Sequence, residues 1–183
     1  MFKILSVHEK VRVTPDKFGA DINESIKQSL QEQMEGKLDP NVGIFLAATD
    51  ISNISEGEIL PEDGAIHYTA DFKILSYVPE LNEVIVGEIV DTTEFGAFVR
   101  IGPFDAMVHV SQMMDDKVSY NEKAQSFVGR KTNKKLEKGD MIRARVVGLS
   151  LGKTGRNKIS LTMRQPCLGT LDEIQKAKKT KRT

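Results

Sequence analysis

The stretch that decides the fold begins with VGEIVDTTEFGAFVR at residues 86–100 and continues through MVHVS (107–111), KGDMIRARV (138–146) and KISLTMR (158–164). Within each of these runs apolar residues alternate with polar, charged or aromatic ones, and Gly, Pro or Asp residues lie between the runs. Short alternating strands separated by turn residues are typical of a small closed β-barrel. Residues 86–164 therefore predict an all-β barrel.

The same alternation predicts which side chains point away from the barrel core, because successive residues of a strand face opposite sides. Ala97, Val99 and Ile101 share the inner face, which leaves Phe98 and Arg100 on the outer one. The residues predicted to point outward in this way are Phe98, Arg100, His109, Arg143, Arg145 and Lys158. Flat rings beside cations suit stacking on bases and neutralisation of phosphates, so this face is a candidate surface for single-stranded nucleic acid.

A purely structural interpretation of the outward rings is also available. Small barrels carry some exposed aromatic and basic side chains that bind nothing. Phe95 precedes Gly96 at a bend, so it could instead plug one end of the barrel.

Charge is divided unevenly along the chain of 183 residues, although the formal net charge is zero. Residues 1–80 hold 7 Lys and Arg against 14 Asp and Glu, whereas residues 81–183 hold 19 against 12. The basic half is the half with the outward aromatics, as expected for a nucleic-acid surface. The acidic half is better suited to protein docking.

Length and composition exclude several classes of protein. With 39% hydrophobic residues the chain can bury two modest cores, but no apolar run approaches the roughly 18 residues of a membrane span. The N-terminal residues lead directly into a strand-like pattern and lack the features of a signal peptide. Cys167 is the single cysteine, so we expect a reducing, cytoplasmic location, and its place between Pro166 and Leu168 favours packing over reactivity.

The first 80 residues predict an α+β unit, one helix on a small antiparallel sheet. Strand-like runs cover residues 2–13, 42–51 and 65–78. Asp21 is placed to cap a helix, with Glu24 completing a capping-box pattern. The predicted apolar stripe of this helix is Ile22, Ile26, Leu30 and Met34.

The predicted organisation is therefore an N-terminal α+β domain (1–80), an all-β barrel (81–166) and a short helix with a basic tail (167–183). The barrel carries a long basic insertion at residues 115–138, which we expect to be a flexible lobe beside the outward aromatics. Thr170 is placed to cap the final helix.

No spacing of Cys, His, Asp or Glu indicates a metal site or a catalytic centre, so we expect no cofactor and no metal. The adjacent acidic pairs, such as those at 62–63 and 115–116, are interpreted as turns.

The barrel segment resembles the OB-fold RNA-binding repeat first described in the largest small-subunit ribosomal protein. The residues that carry the resemblance are Phe95-Gly96-Ala97-Phe98, Val108-His109-Val110-Ser111, Gly139-Asp140 and Ile159-Ser160-Leu161. The resemblance implies contacts with single-stranded RNA from Phe95, Phe98, His109, Arg143 and Lys158 or Arg156. Many members carry Asp near the position of Ser150.

The whole chain resembles the family of the larger stalk subunit of archaeal RNA polymerase, known as E-prime, whose eukaryotic counterpart is the seventh subunit of RNA polymerase II. Matching segments are FKIL (2–5), VRVTP (11–15), EGKLD (35–39), HVSQMMDD (109–116), RARV (143–146) and LTMRQP (161–166). Glu173 departs from the pattern, since relatives often have Trp there.

This resemblance implies a non-catalytic subunit of DNA-directed RNA polymerase that supports initiation and elongation. Its N-terminal domain would dock on the polymerase core near the clamp, through the turns at Phe18-Gly19 and Asp63-Gly64. A smaller stalk subunit, known as F, would complete a heterodimer, and the barrel would bind nascent RNA.

Two other classes remain open from the residues alone. A nuclease with an appended OB domain should show clustered metal-binding carboxylates in residues 1–80, and the sequence does not show them there. A free OB-fold factor of translation or RNA processing would use the same barrel without a polymerase.

Overall fold

The computed structural model of the chain describes residues 1–19, 21–122, 124–152 and 157–180, with side chains described as far as residue 176. The chain divides into two compact units, Met1–Val78 and Pro79–Thr183.

The first unit is one helix on an antiparallel sheet. Its elements are β1 (Phe2–Val13), a 3-10 turn (Pro15–Lys17), α1 (Ile22–Met34), β2 (Leu38–Asp39), β3 (Gly43–Ser52), β4 (Glu58–Ile59) and β5 (Ile66–Tyr77). The strand order is β1-β5-β3-β2, and β4 also pairs with β5. The core lies between the sheet and α1 and is built around Val11, Ile26, Leu30 and Phe72. The predicted α+β architecture is confirmed.

Helix α1 differs from the prediction in its buried face. Ile26 and Leu30 are fully buried, but Ile22 is exposed, and Ser25 and Ser29 are buried instead. Four residues turn an α-helix by about 400°, so a stripe with a strict spacing of four drifts around the helix. Its N-terminal member Ile22 points away from the core, whereas Met34 at the other end is partly buried against it. Ser25 keeps its buried hydroxyl bonded by donating to the carbonyl of Lys17 at 2.9 Å.

The predicted capping box of α1 is wrong, although the helix begins where expected. Asp21 holds the N-cap position, but its side chain makes no capping hydrogen bond. Glu24 accepts a hydrogen bond from Gln28 Nε2, one turn further along, at 3.4 Å. The glutamate is therefore directed along the helix and does not reach back to the cap.

The second unit is a β-barrel with an inserted sheet. Its elements are β6 (Val84–Thr93), β7 (Gly96–Ile101), β8 (Phe104–His109), a 3-10 turn (Val110–Gln112), β9 (Val118–Asn121), β10 (Ser126–Gly129), β11 (Lys135–Glu137), β12 (Met141–Ser150), β13 (Lys158–Thr162), β14 (Gly169–Thr170) and α2 (Leu171–Thr180).

The barrel closes through five strands. The sheet order is β13-β8-β7-β6-β12-β14, and β13 also pairs with β12, which joins the two sides of the sheet. The register of β12 shifts between Val146 and Gly148, and this bulge bends the strand so that its first half pairs with β6 and its second half with β13. The inward residues Ala97, Val99, Ile101, Val108, Ile142, Val146 and Leu161 are at most 1% exposed. The predicted OB-type barrel is confirmed.

The insertion at 115–138 is not the flexible lobe that the sequence predicts. Strands β9, β10 and β11 form an antiparallel three-stranded sheet around Phe127, which is completely buried. Asp116 supports the turn after β10, because its carboxylate accepts from the backbone amides of Thr132 (2.9 Å) and Lys131 (2.7 Å). These bonds lower the pKa of Asp116.

The C-terminal segment shows one expected and one unexpected feature. Thr170 caps α2, since its hydroxyl accepts from the backbone amide of Glu173 at 3.4 Å. The sequence predicts that Cys167 is packed, but the structure leaves it exposed, with a φ of 65°. Glu173 accepts from Lys134 Nζ at 3.0 Å, so this departure from the family pattern makes an ion pair with the insertion.

Candidate nucleic-acid interface and docking surface

The exposed aromatic residues of the barrel lie on strands β7 and β8 and in the turn that precedes β7. Phe98 pairs across these strands with Met107, and Gly96 pairs with His109. Phe98 is 36% exposed and Phe95 is 62% exposed, which rules out the interpretation of Phe95 as a barrel plug. We call Phe95, Phe98, Met107 and His109 the aromatic surface. It offers two rings, a thioether and an imidazole to a flat ligand.

Gly96 allows the aromatic surface to form. A Cβ at this position would lie 2.3 Å from the carbonyl oxygen of Val108 and 3.1 Å from the methyl carbon of Met107. No larger residue fits unless β7 and β8 move apart. The close approach also lets the amide of Val110 donate to the carbonyl of Phe95 at 2.9 Å, which fixes the bend beside His109.

The imidazole of His109 is oriented by Ser111. The backbone amide of Ser111 donates to Nδ1 of His109 at 3.2 Å, and the Ser111 hydroxyl lies 2.8 Å from the same nitrogen. A nitrogen that accepts from an amide carries no proton, so the ring proton resides on Nε2. His109 can therefore donate a hydrogen bond from Nε2 to a phosphate or base oxygen.

The predicted cations do not all lie at the aromatic surface. Arg100 lies on β7 and forms an ion pair with Asp105, at 3.3 Å. Lys158 lies at the start of β13, whose Ser160 is aligned with Met107 of β8, and it shares the outward face. Arg156 lies outside the described residues.

Arg143 and Arg145 lie on a different part of the barrel. They are on β12, opposite Val86 and Val84 of β6, and strand β6 separates them from β7. Both arginines are half-buried, and Nε of Arg145 is buried with no hydrogen-bond partner among the residues that the structure describes. Exposed apolar residues accompany them on the outer side of β6 and β12: Val84, Val86, Met141 and Val147, each 44–47% exposed. We call these four residues the apolar stripe.

The two turns predicted to dock on a partner are neighbours in the first unit. β1 ends at Val13 opposite Ile66, where β5 begins, so the turn that follows β1 meets the turn that precedes β5. A Cβ built on Gly64 would lie 3.9 Å from Pro15, which places the second turn against the first. We call this end of the unit the tip.

The surface of the tip is partly apolar. Phe18 is exposed there, and Gly19 has a φ of 104° with open space around it. A cavity of about 200 Å³ lies beside Phe18 and the exposed Ile22. The tip therefore offers a partner an aromatic ring next to a shallow depression.

Ion pairs hold the tip in shape. Arg12 donates to both carboxylate oxygens of Asp63, from Nε at 2.9 Å and from a terminal nitrogen at 2.7 Å. Nε2 of His67 lies 3.0 Å from Asp63, and the amide of Ala65 donates to the same carboxylate at 3.1 Å. Hydrogen bonds from Arg12, then His67, then Ala65 depress the pKa of Asp63 well below its usual range. Lys17 forms a further ion pair with Glu32 of α1.

Sequence reasoning missed several residues of these surfaces. Strand alternation places Met107 outward beside His109, but a methionine gives no sequence signal of a nucleic-acid contact. Arg12 gives no local signal, since its partner Asp63 is 51 residues away in the chain, whereas His67 lies four residues from Asp63.

No cluster of metal-binding side chains and no membrane-spanning helix is found in the part of the chain that the structure describes. No group of three or more His, Cys, Asp or Glu side chains is arranged there to hold a metal ion. Among the same residues, no helix has the length and apolar character needed to cross a membrane.

The second unit is an OB-type barrel with exposed aromatic residues, and it follows an α+β unit. Comparisons with known proteins find the same two kinds of domain in the same order. Residues 78–164 match the family model of the S1 RNA binding domain. Residues 8–64 match the model of the SHS2 domain found in the N terminus of Rpb7p/Rpc25p/MJ0397.

Three relatives match between 66% and 98% of the chain. It is 38% identical to the DNA-directed RNA polymerase subunit Rpo7 of Saccharolobus shibatae, over 98% of this chain and 100% of the relative. It is 28% identical to the DNA-directed RNA polymerase II subunit RPB7 of Saccharomyces cerevisiae, over 66% and 71%. It is 26% identical to the DNA-directed RNA polymerase III subunit RPC8 of Bos taurus, over 84% and 78%. The chain belongs to the family of the DNA-directed RNA polymerase subunit Rpo7. The resemblance found in the sequence is thereby confirmed.

Proposed function

We propose that this protein is a non-catalytic stalk subunit of a cytoplasmic DNA-directed RNA polymerase and binds single-stranded nascent RNA through the aromatic surface. The observation that carries the proposal is the exposed pair Phe95 and Phe98 beside Met107 and His109, on the barrel of a polymerase-subunit family member. Exposed rings on a barrel strand are unfavourable in water unless a ligand covers them. Bases would stack on the rings, and His109 Nε2 would donate to an RNA oxygen.

RNA would run across β7 and β8 toward β13. Lys158 is exposed on that path, and no acidic partner engages it among the described residues. Arg100 would contribute less, because Asp105 already neutralises it. Arg156 remains a candidate from the sequence alone.

We propose that Arg143 and Arg145 contact a protein partner of the stalk subunit. They lie beside the apolar stripe, away from the rings. Apolar side chains with two embedded arginines suit a polypeptide partner that carries acidic residues. The smaller of the two stalk subunits, known as F and implied by the family resemblance, is the partner we propose for this surface.

The tip would dock on the polymerase core near the clamp. Phe18 would be the apolar contact, and Gly19 would let the turn approach the core closely. Asp63 and Gly64 would form the second turn of the same docking surface. The ion pairs of Asp63 would set its shape before docking, which lowers the entropic cost of binding.

Affinity purification of the tagged full chain from its source cells tests the proposal. We expect to recover the catalytic polymerase subunits together with one small subunit. Phe18→Ala should lose the core subunits and retain RNA binding, whereas Phe98→Ala should do the opposite. Recovery of ribosomal subunits without polymerase would contradict the proposal and favour a free translation factor.

A further inference from the structure

The aromatic surface lies in a part of the chain that is poor in positive charge. Residues 81–116, which include all of β6, β7 and β8, contain one Lys or Arg, which is Arg100, and seven Asp or Glu. Arg100 forms an ion pair with Asp105. RNA binding depends on neutralising phosphates, and stacking alone does not supply this. Cations from another part of the second unit must therefore reach the RNA backbone.

A pocket beside the aromatic surface supplies such cations. It has a volume of about 350 Å³ and lies between the 3-10 turn that follows His109 and the inserted sheet. Its polar lining comes from Ser111, Asp116, Lys117 and Arg130. Ser111 is the residue that orients His109, so the pocket is continuous with the aromatic surface.

The inserted sheet is fixed in place at this end of the barrel. The hydroxyl of Tyr120 donates to the carbonyl of Thr92 at 3.1 Å, and the hydroxyl of Thr92 donates to the carbonyl of Gln125 at 2.9 Å. Thr92 pairs with Ala97 on β7, next to the aromatic surface. Tyr120 packs on the buried ring of Phe127, with the ring centres 4.9 Å apart. The cations of the sheet are therefore held at a set position.

Lys117 and Arg130 are adjacent and available. The amide of Arg130 donates to the carbonyl of Lys117 at 2.9 Å, so the two residues lie side by side. Nε of Arg130 donates to the Ser119 hydroxyl at 2.8 Å, and this bond orients the guanidinium. The bond does not involve the two terminal nitrogens of the guanidinium. Among the described residues neither cation forms an ion pair, in contrast to Arg164 with Asp115.

Asp116 is the acidic residue of the pocket, and its carboxylate is directed into the protein. It accepts from the amide of Lys117 at 2.6 Å, from the amides of Lys131 and Thr132, and from the Thr132 hydroxyl at 3.1 Å. Four donors therefore occupy its oxygens. The open side of the pocket is left to the hydroxyl of Ser111 and the two cations.

We propose that this pocket, formed by Ser111, Lys117 and Arg130, binds backbone phosphate of the RNA whose bases stack on Phe95 and Phe98. The inference rests on the proposed RNA-binding function and extends it to the inserted sheet. Bases are held by strands β7 and β8, and phosphate is held by the insertion. The preset fork of Arg130 and the neighbouring ammonium of Lys117 can each neutralise one of two successive phosphate groups.

The test measures the salt dependence of RNA binding by the full chain. Fluorescence anisotropy with a labelled oligo(U) RNA of about 12 nucleotides is recorded between about 50 and 200 mM KCl. The double variant Lys117→Gln/Arg130→Gln should lower the slope of log K against log salt by about 1.4, because each phosphate that is no longer neutralised accounts for about 0.7. The rise of Kd over this salt range should then be about sevenfold smaller than for the unmodified chain.

Two further variants separate charge from structure. Lys138→Gln removes an exposed lysine at the end of the insertion. This lysine lies beside the middle of β6, because the amide of the next residue, Gly139, donates to the carbonyl of Ile89. It should leave the slope unchanged. Arg130→Lys keeps the charge without the Nε bond to Ser119, so its slope should stay close to that of the unmodified chain.

The outcomes distinguish this inference from the function on which it rests. If Phe98→Ala weakens binding but the double variant keeps the original slope, the phosphate site is wrong and the aromatic surface stands. If Lys138→Gln lowers the slope by half as much as the double variant, the effect is general surface charge and the site is also wrong. If the unmodified chain does not bind RNA, both proposals fail.

Discussion

The tip of the first unit and the proposed RNA-binding side of the second unit use charged residues in opposite ways. At the tip, ion pairs join Arg12 to Asp63 and Lys17 to Glu32, and Nε2 of His67 lies within hydrogen-bond distance of Asp63. At the second surface, Lys117, Arg130 and Lys158 have no acidic partner among the residues that the structure describes. The first arrangement uses charge to hold the shape of two turns, and the second leaves charge for a ligand.

This difference indicates which kind of partner each surface fits. A rigid tip with internally neutralised charge and an exposed phenylalanine suits another folded protein, for which shape and apolar contact dominate. Unpaired cations around exposed rings suit a flexible polyanion. The net charge of each half agrees with this division, since residues 1–80 are acidic and residues 81–183 are basic.

The largest expected effect comes from removing one ring from each surface. Phe98→Ala should weaken binding of single-stranded RNA by about 1–3 kcal/mol, because stacking on one aromatic side chain contributes that much. Phe18→Ala, the matched change at the tip, should leave RNA affinity unchanged and weaken binding to the polymerase core. RNA affinity is measured by anisotropy and core binding by co-purification. Equal losses of RNA affinity in both variants would contradict the assignment of RNA binding to one surface and core binding to the other.

A smaller effect should separate paired from unpaired cations on the barrel. Lys158→Gln should lower the salt slope of RNA binding by about 0.7, the contribution of one phosphate contact on a single strand. Arg100→Gln should lower it by less than half as much, because Asp105 already balances that guanidinium. The two slopes are compared by anisotropy titration at several salt concentrations. A larger change for Arg100 would show that the ion pair opens when RNA binds.

The strands and their inner faces are predictable from the sequence because alternation is a local property. Parity alone assigns Ala97, Val99 and Val108 to the core correctly. The grouping of the outward residues is less predictable, since it depends on strand order. Arg143 and Phe98 have the same outward parity, yet β6 lies between their strands.

The contacts that shape both surfaces depend on long-range pairing. Asp63 has the local pattern of a turn residue, but its role comes from Arg12, which the pairing of β1 with β5 brings beside it. The insertion has short strands without clear alternation, so its order comes from the burial of Phe127 and the bonds of Asp116. Neither feature is visible in a short window of sequence.

The smallest expected effect concerns the pH dependence of the tip. Hydrogen bonds from Arg12 and His67 lower the pKa of Asp63, so the ionised carboxylate is more favourable in the folded chain than in the unfolded one. This contribution to stability is present above the unfolded pKa, about 3.9, and is lost as pH falls below it toward the depressed folded value. The amide of Asp63→Asn does not titrate, so this variant lacks the contribution of the ionised carboxylate at every pH. Its loss of stability relative to the unmodified chain should therefore be largest at neutral pH and should shrink below about pH 4.

Hydrogen exchange of the β1 and β5 amides measures this deficit in the unit that contains the tip. The ratio of exchange rates in the variant and the unmodified chain is taken at each pH, because the intrinsic pH dependence of exchange cancels in that ratio. Strands β7 and β8 serve as the internal control, and their ratio should stay near one, since they belong to the other compact unit. A ratio for β1 and β5 that is the same at about pH 3 and at neutral pH would show that Asp63 holds the tip by shape alone, without its charge.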